Sequence, residues 1–214
     1  MSEIPVPGQS EVALPRPSRV ERAAQTKQEV LAAAGRVFAR RGYAAASVAE
    51  IAEEAGYTHG ALYTHFSGKQ ELFFELFEQR VRDLATALSD EHAAAPGAPV
   101  DRVRALTRLS EALLAEDSDR FLLHVEFAVL AARDPELRAG FLARAAHLPK
   151  TIRSLIEATS DTSVAADDVD PGELALGLYG LAVGLGLFRW IAPGAVRPTL
   201  YGDLAMRLLT PRAD

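Results

Sequence analysis

The segment from Thr58 to Thr64 carries small and polar side chains on one side of a candidate helix and apolar side chains on the other. Leu62 and Phe66 are spaced so that both can face a core. The side left for a partner consists of His59, Gly60, Ala61 and Tyr63. His59 can donate to a base or a phosphate, and Ala61 can contact a thymine methyl group. This surface suits the major groove of a duplex, although the segment holds no Arg, Asn or Gln for bidentate readout.

Two short helices must position this segment. The Ser47 hydroxyl and the Glu50 carboxylate have the spacing of a capping box, which predicts a helix start with Val48, Ile51, Ala52 and Ala55 facing inward. Gly56 ends that helix, and Thr58 can cap a third helix of about two turns that stops near Phe66. Two short helices joined through a glycine turn predict a helix-turn-helix.

A longer helix precedes them and supplies the apolar stripe Val30, Leu31, Ala34, Val37 and Phe38. Its start has two candidates, because Thr26 with Glu29 and Ser18 with Glu21 both have capping-box spacing. Gly42 is available as a left-handed stop at its end.

The rest of the chain also has helical periodicity, and no run alternates apolar and polar residues for long enough to indicate a sheet. The prediction is an all-α protein of about nine helices. After a fourth helix from about residue 69 to 95, the predicted helices cover residues 100–115, 119–133, 135–159, 171–191 and 196–209.

Residues 47–69, with residues 38–43 before them and 71–73 after them, resemble the TetR family of bacterial repressors. The resemblance covers roughly the first third of the chain and is specific for a single sequence. It implies a homodimer that binds near-palindromic double-stranded operator DNA and leaves it when a small molecule fills a C-terminal regulatory and dimerisation domain.

The resemblance also assigns roles to individual residues. The positions of Tyr63, His65 and Lys69 grip the sugar-phosphate backbone in this family, and each of the three has a suitable donor. The helix starts at Ser47 and Lys69 add backbone N–H groups that suit phosphates. The complete set expected to contact DNA is Ser47, Thr58, His59, Gly60, Ala61, Tyr63, Thr64, His65 and Lys69.

The predicted organisation is a flexible arm over residues 1–22, a DNA-binding domain over residues 23–68 and a helical regulatory domain over residues 69–214. The arm carries Arg16, Arg19 and Arg22, which either reach DNA or belong to a solvated leader. An alternative for the second domain is a plain three-helix unit in which Tyr63 and His65 are packing residues.

The helix around residues 174–188 is nearly all apolar and contains four glycines, so it needs burial on every side. Paired with residues 200–209, it can form half of an intersubunit four-helix bundle. An intramolecular core is the alternative. A membrane span is disfavoured because a run of about 15 apolar residues reaches only about 22 Å, and Arg189 follows.

An effector cavity is expected near the apolar helix that contains His124 and Glu126. The candidate ligand-binding residues are Phe121, His124, Phe127 and Trp190. A histidine satisfied within the core and a glutamate at its rim are the alternative for the two polar residues. The identity of the effector does not follow from the sequence.

Composition limits the remaining functions. The chain has 214 residues and a net charge of −6, and residues 1–80 carry 9 Lys or Arg against 10 Asp or Glu, so bulk charge does not indicate DNA binding. Cysteine is absent, and Met1–Pro17 lacks the apolar core of a signal peptide, which favours the cytoplasm. No catalytic motif, cofactor loop or metal-ligand cluster is found, so neither an enzyme nor a cofactor is expected. The alternative to a regulator is a helical ligand-binding or scaffold protein without DNA recognition.

Overall fold

The computed structural model describes residues 18–116, 118–159 and 169–209. Within them the protein has ten helices and no strand, which confirms the all-α prediction. The helices are α1 Arg19–Ala45, α2 Val48–Ala55, α3 His59–Leu62, α4 Lys69–Ala94, α5 Pro99–Glu116, α6 Ser118–Arg133, α7 Pro135–Ala145, α8 His147–Thr159, α9 Pro171–Ile191 and α10 Leu200–Leu209.

Helix α1 begins at the earlier of its two candidate caps. The Ser18 hydroxyl accepts a hydrogen bond from Glu21 N, and the Glu21 carboxylate accepts one from Ser18 N, so the capping box is complete. Residues 19–22 of the predicted arm are therefore helical, and residues 1–17 lie outside the described part of the chain. Thr26 caps nothing, because it lies inside the helix with its hydroxyl 3.4 Å from that of Tyr57.

The two short helices have the predicted boundaries, with one difference. The capping box of Ser47 and Glu50 starts α2, and Gly56 ends it with a φ of +74°. Thr58 caps α3, but α3 has only 4 residues and not about two turns. The N–H groups of Thr64 and His65 bond to carbonyls three residues back, so the chain tightens into a turn after Leu62.

The predicted helix over residues 135–159 is two helices, α7 and α8, which meet at Ala146. Pro149 explains the break, because its nitrogen has no proton for the carbonyl of Ala145 and its ring would collide with that carbonyl in a continuous helix. The last helix begins at Leu200 and not at Val196.

One apolar core runs from the helix-turn-helix into the larger helical part of the chain. Phe127 of α6 is fully buried, and its ring stacks on that of Phe73 of α4 with the centroids 3.8 Å apart. Tyr43, at the end of α1, places its ring edge-on to Phe127 at 5.0 Å. The three rings therefore join α1, α4 and α6 at one point, so the two parts share a core across the boundary drawn at residue 68.

A second core cluster lies between α5, α8, α9 and α10. Its buried residues are Val103, Ile156, Leu174, Ala175, Leu178, Tyr201, Ala205 and Leu209. This cluster covers only one side of α9.

Removing the ring at the junction is expected to destabilise the whole chain. Phe127→Ala should lower the free energy of unfolding by about 3–5 kcal/mol, because it leaves a cavity among packed aromatic rings. Val129→Ala, on the exposed side of the same helix, should change it by less than about 0.5 kcal/mol. Chemical denaturation measures both values, and equal losses would contradict this assignment of the core.

Candidate nucleic-acid interface and ligand cavity

The surface of α3 has the arrangement expected from the sequence. Leu62 and Phe66 are buried, at 0% and 2% exposure, and hold α3 against the core. Tyr63 is 48% exposed, and its ring lies edge-on to the ring of His59 with the centroids 4.8 Å apart. Nothing lies within 4 Å of the place where Gly60 would carry a Cβ, so the backbone is open to a partner there.

Hydroxyl groups of the predicted contact set stabilise the helix ends. Ser47 Oγ accepts from Glu50 N at 3.2 Å, and Thr58 Oγ1 accepts from Ala61 N at 3.2 Å. Thr64 Oγ1 donates to the carbonyl of Ala61 at 2.6 Å. These side chains hold α2 and α3 in shape on the same surface as the exposed His59.

Lys69 lies at the start of α4, where its ammonium group points back to the end of α1. Its Nζ donates to the carbonyls of Tyr43, Ala44 and Ala46 at 2.9, 3.1 and 2.9 Å. The same atom lies 4.7 Å from the centre of the Tyr43 ring. In this conformation the ammonium holds backbone of its own chain, and its predicted contact with phosphate stays a prediction.

Arginines of α1 are paired with carboxylates of α2. Arg36 Nε and Arg40 Nη2 each lie 2.7 Å from an oxygen of Glu54, and Arg41 reaches Glu50 at 2.9 Å. These guanidinium groups hold the pKa of both carboxyls below its ordinary value. Each of these exposed ion pairs adds little stability, but together they orient α2 on α1. They also neutralise positive charge within the head, which is the part of the chain formed by α1, α2 and α3.

A cavity of about 140 Å³ lies inside the larger helical part, among α4, α5, α6, α8, α9 and α10. Of the four candidate ligand-binding residues, Phe121 and His124 line it. Phe127 and Trp190 do not, because Phe127 is stacked in the core and Trp190 is 41% exposed on the outside of α9. The rest of the lining consists of Phe77, Arg80, Val81, Leu84, Leu88, Ser110, Leu113, Leu148, Ile152, Tyr179, Ala182, Val183 and Tyr201.

The polar centre of this lining is a hydrogen bond between Tyr179 Oη and His124 Nε2, at 3.0 Å. The imidazole also stacks on the ring of Phe77, with the centroids 5.2 Å apart. Burial lowers the pKa of His124 to about 4 and raises the pKa of Tyr179 to about 12, so both groups are neutral near pH 7. His124 is therefore a satisfied core histidine and a cavity residue at once.

One face of α9 has no partner within the described chain. Leu176, Phe188 and Ile191 are 61%, 58% and 68% exposed, and nothing lies near Gly177, Gly180 or Gly184. Gly186, on the opposite face, is the exception among the four glycines of the predicted apolar stretch, since a Cβ there would lie 2.7 Å from the Phe121 ring.

By length and composition, α9 is the one helix of the described residues that is long and apolar enough to cross a membrane. The 21 residues of α9 span about 32 Å. The short apolar run, which disfavours a membrane span in the sequence, therefore does not exclude one by itself. The packing of Leu174, Ala175 and Leu178 into the second core cluster gives α9 a different role, as a helix buried on one face.

Two family models match separate parts of the chain. Residues 30–76 match the model of bacterial regulatory proteins of the tetR family. Residues 99–211 match the C-terminal model of BetI-type transcriptional repressors. The chain belongs to the TetR family of transcriptional regulators. The second match covers more than half of the regulator and includes α5–α10, among which α5, α6, α8, α9 and α10 line the cavity.

Known relatives of the regulator are transcriptional regulators by name. The transcriptional repressor AcnR of Corynebacterium efficiens is 28% identical over 79% of this chain and 84% of its own. The transcriptional regulator AcrR of Shigella flexneri is 33% identical over half of each chain. The transcriptional regulator FadR of Bacillus subtilis, solved with stearoyl-CoA, superposes with a TM-score of 0.71 over 87% of this chain and 99% of its own, at 16% identity. This last likeness shows the fold.

The sequence did not identify Tyr179 and Phe77 as residues that line the cavity. It also did not identify the partners of Glu126. Tyr179 lies in the helix predicted for dimerisation, and its spacing from His124 along the chain carries no signal. Glu126 was predicted either as a polar anchor of the cavity or as a glutamate at the rim of the core, and its carboxylate accepts hydrogen bonds from Tyr43 N at 2.8 Å and Ala44 N at 3.0 Å.

Burial of neutral His124 predicts a pH-dependent stability. The folded protein binds this proton less readily than the unfolded chain does, so the stabilisation is complete above about pH 6.5 and falls as the pH drops toward about 4. The loss should be about 1.4 kcal/mol per pH unit in that window. His124→Gln, which has no titratable ring, should lose less stability over the same range.

Denaturant titrations of both chains at pH 7.5, 6.5, 5.5 and 4.5 measure this difference. His147→Gln removes an exposed histidine outside the cavity lining and serves as the control. Parallel pH profiles for the natural chain and His124→Gln would contradict the prediction.

Proposed function

We propose that the regulator is a repressor that binds a near-palindromic operator as a homodimer and is released when a small molecule occupies the cavity between α4 and α9. The exposed face of α3 carries the proposal, because its polar and small side chains project from a helix held by fully buried Leu62. We propose that the repressor acts at the chromosome in the cytoplasm, and that binding of DNA and effector, without catalysis, accounts for its action.

The α3 face suggests a division of labour on DNA. His59, Gly60 and Ala61 lie at the start of α3 and are suited to base edges. Tyr63, Thr64 and His65 follow in the turn and are suited to phosphates, while Ser47 and Thr58 hold the two helix starts. Backbone N–H groups at the start of α4 add an attractive site for a phosphate, and Lys69 fixes that start against α1.

The open face of α9 supports the homodimer. Leu176, Gly180, Gly184 and Ile191 lie at intervals of four or seven residues, which puts them on one side of the helix. Leu208 of α10 is also exposed, at 48%. A second copy of α9 and α10 packed on this face would complete a four-helix bundle and set two α3 helices at the groove repeat of about 34 Å.

The cavity supports a small, mostly apolar effector. Its walls are aliphatic and aromatic, and the pair of His124 and Tyr179 offers a neutral hydrogen-bonding group. The Bacillus subtilis FadR structure contains stearoyl-CoA, which supports a ligand role for this part of the fold.

A ligand-binding or scaffold protein without DNA recognition is the second candidate. The net charge of −6 and the pairing of Arg36, Arg40 and Arg41 within the head favour it. DNA binding by the purified protein separates the two candidates. A gel shift at low salt, with the DNA that flanks the protein's own gene, should show a complex. Folded protein that binds neither this DNA nor any selected sequence would contradict the repressor and favour the ligand-binding or scaffold protein.

Two tyrosines of the head provide a matched pair of variants for the DNA-contact surface. Tyr63→Phe removes an exposed hydroxyl from the α3 face and should weaken operator binding about fivefold, the value of roughly 1 kcal/mol for one hydrogen bond. Tyr57→Phe removes a hydroxyl that donates to Glu29 away from that face, at 2.5 Å, and should leave affinity unchanged. Fluorescence anisotropy at fixed salt measures both, and the reverse ranking would contradict the assigned surface.

Two exposed leucines provide a similar pair for the dimer. Leu176→Glu places a charge on the open face of α9 and should convert the dimer to a monomer, because the charge would be buried without a partner. Leu142→Glu changes a leucine of similar exposure on α7 and should leave the dimer intact. Sedimentation velocity measures the two masses, and a dimer of Leu176→Glu at micromolar concentration would contradict this interface.

A further inference from the structure

The segment from Gly42 to Ala46 forms the end of α1 after its interruption at Gly42 and leads to α2. Both the N–H groups and the carbonyl groups of this segment are held by side chains of other helices. The N–H groups of Tyr43 and Ala44 donate to the carboxylate of Glu126 in α6. The carbonyls of Tyr43, Ala44 and Ala46 accept from Lys69 Nζ in α4. The backbone of this segment is thus attached to α6 through its donors and to α4 through its acceptors.

Gly42 makes room for the Glu126 carboxylate. Its φ is +72°, a conformation that side-chain-bearing residues rarely adopt, and a Cβ there would lie 2.8 Å from Glu126 Oε2. Any larger residue would therefore both strain the backbone and displace the carboxylate. The glycine that interrupts α1 also exposes the two N–H groups that Glu126 accepts from.

The helix that carries Glu126 also forms a wall of the cavity. Phe121 and His124 contribute to the lining, and Phe127 lies on Phe73 and Tyr43. Glu126 follows Phe121 by five residues, about 7.5 Å along a stiff helix. A molecule that displaces the Phe121 end of α6 would therefore move Glu126 relative to α4.

The segment from Gly42 to Ala46 leads directly into the helix-turn-helix formed by α2 and α3. Ala46 is buried and directly precedes Ser47, the cap of α2. Helix α2 in turn positions α3 through a short glycine turn. A shift of residues 43–46 therefore changes the direction of α2 and α3 together.

We infer that Glu126 is a positioning residue that couples occupancy of the cavity to the orientation of α3, with Lys69 as the fixed counter-attachment. This inference rests on the proposed function. When α6 moves, the bonds from Glu126 pull on the N–H side of residues 43–44, while Lys69 keeps the carbonyl side with α4. The charged acceptor makes the two bonds stronger than neutral ones, so the segment follows α6.

The test fills the cavity by mutation, since the effector is unidentified. Ala182→Phe introduces a ring from α9 into the cavity and stands for an occupant, and Val183→Phe is a second filler at the next position. In the natural background, filling should weaken operator binding at least tenfold. In Glu126→Gln, which loses the charge and one acceptor oxygen, filling should weaken it less than threefold. Val129→Ala, on the exposed side of α6, serves as the control background and should keep the full tenfold response.

Amide hydrogen exchange provides a readout that does not depend on DNA. Glu126→Gln should accelerate exchange at Tyr43 N and Ala44 N about tenfold, because the hydrogen bonds to a charged acceptor are lost or weakened. Exchange in α9 should not change.

The outcomes separate this inference from the proposed function. Equal weakening by the fillers in the Glu126 and Glu126→Gln backgrounds would overturn the coupling while operator binding stands. Folded filled variants with natural operator affinity would overturn it as well. Absence of operator binding by the natural chain would instead overturn the proposed function. In that case, unchanged amide exchange at Tyr43 and Ala44 in Glu126→Gln would still contradict the attachment of this segment to Glu126.

Discussion

The stack of Phe127 on Phe73, with Tyr43 edge-on beside it, joins the DNA-binding helices to the rest of the protein. Because the three rings come from α6, α4 and the end of α1, no one of these helices can move without disturbing the other two. The buried apolar core extends from Val30 in the head to Leu148 in α8. The head is therefore packed as part of a larger body, with polar attachments by Glu126 and Lys69 around the aromatic junction.

This arrangement explains how a chain with a net charge of −6 can present a DNA-binding surface. Arg36, Arg40 and Arg41 of α1 are paired with Glu50 and Glu54, so these three arginines shape the head and do not supply excess positive charge. In the proposed DNA complex, attraction to phosphate comes from helix starts and from a few exposed donors such as Tyr63. Such a surface depends strongly on geometry, and small rotations of α3 are enough to weaken it.

In the proposed mechanism, the same dependence on geometry connects the cavity and the proposed dimer face of α9 to DNA binding. Helix α9 contributes Tyr179 and Ala182 to the cavity on one side and exposes Leu176 and Ile191 on the other. Gly186 lets it lie directly against Phe121 of α6. An occupant of the cavity is thus in contact with the helix that leads to the head and with the helix proposed to bind the second subunit.

Local patterns in the sequence determined the helix-turn-helix. Ser47 with Glu50, Thr58, Gly56 and the pair of Leu62 and Phe66 act over one or two turns, where spacing alone decides capping and burial. Pro171 and the apolar run after it likewise predicted both ends of α9, at residues 171 and 191.

Only the tertiary structure decided which distant residues meet. Glu126 reaches Tyr43 across 83 positions of the chain, and Tyr179 reaches His124 across 55. Phe127 and Trp190 looked equivalent to Phe121 as cavity residues, but packing directs one into the core and the other outward. Helical periodicity gives the face of each helix, whereas the neighbour of that face depends on how the helices pack, which no local pattern contains.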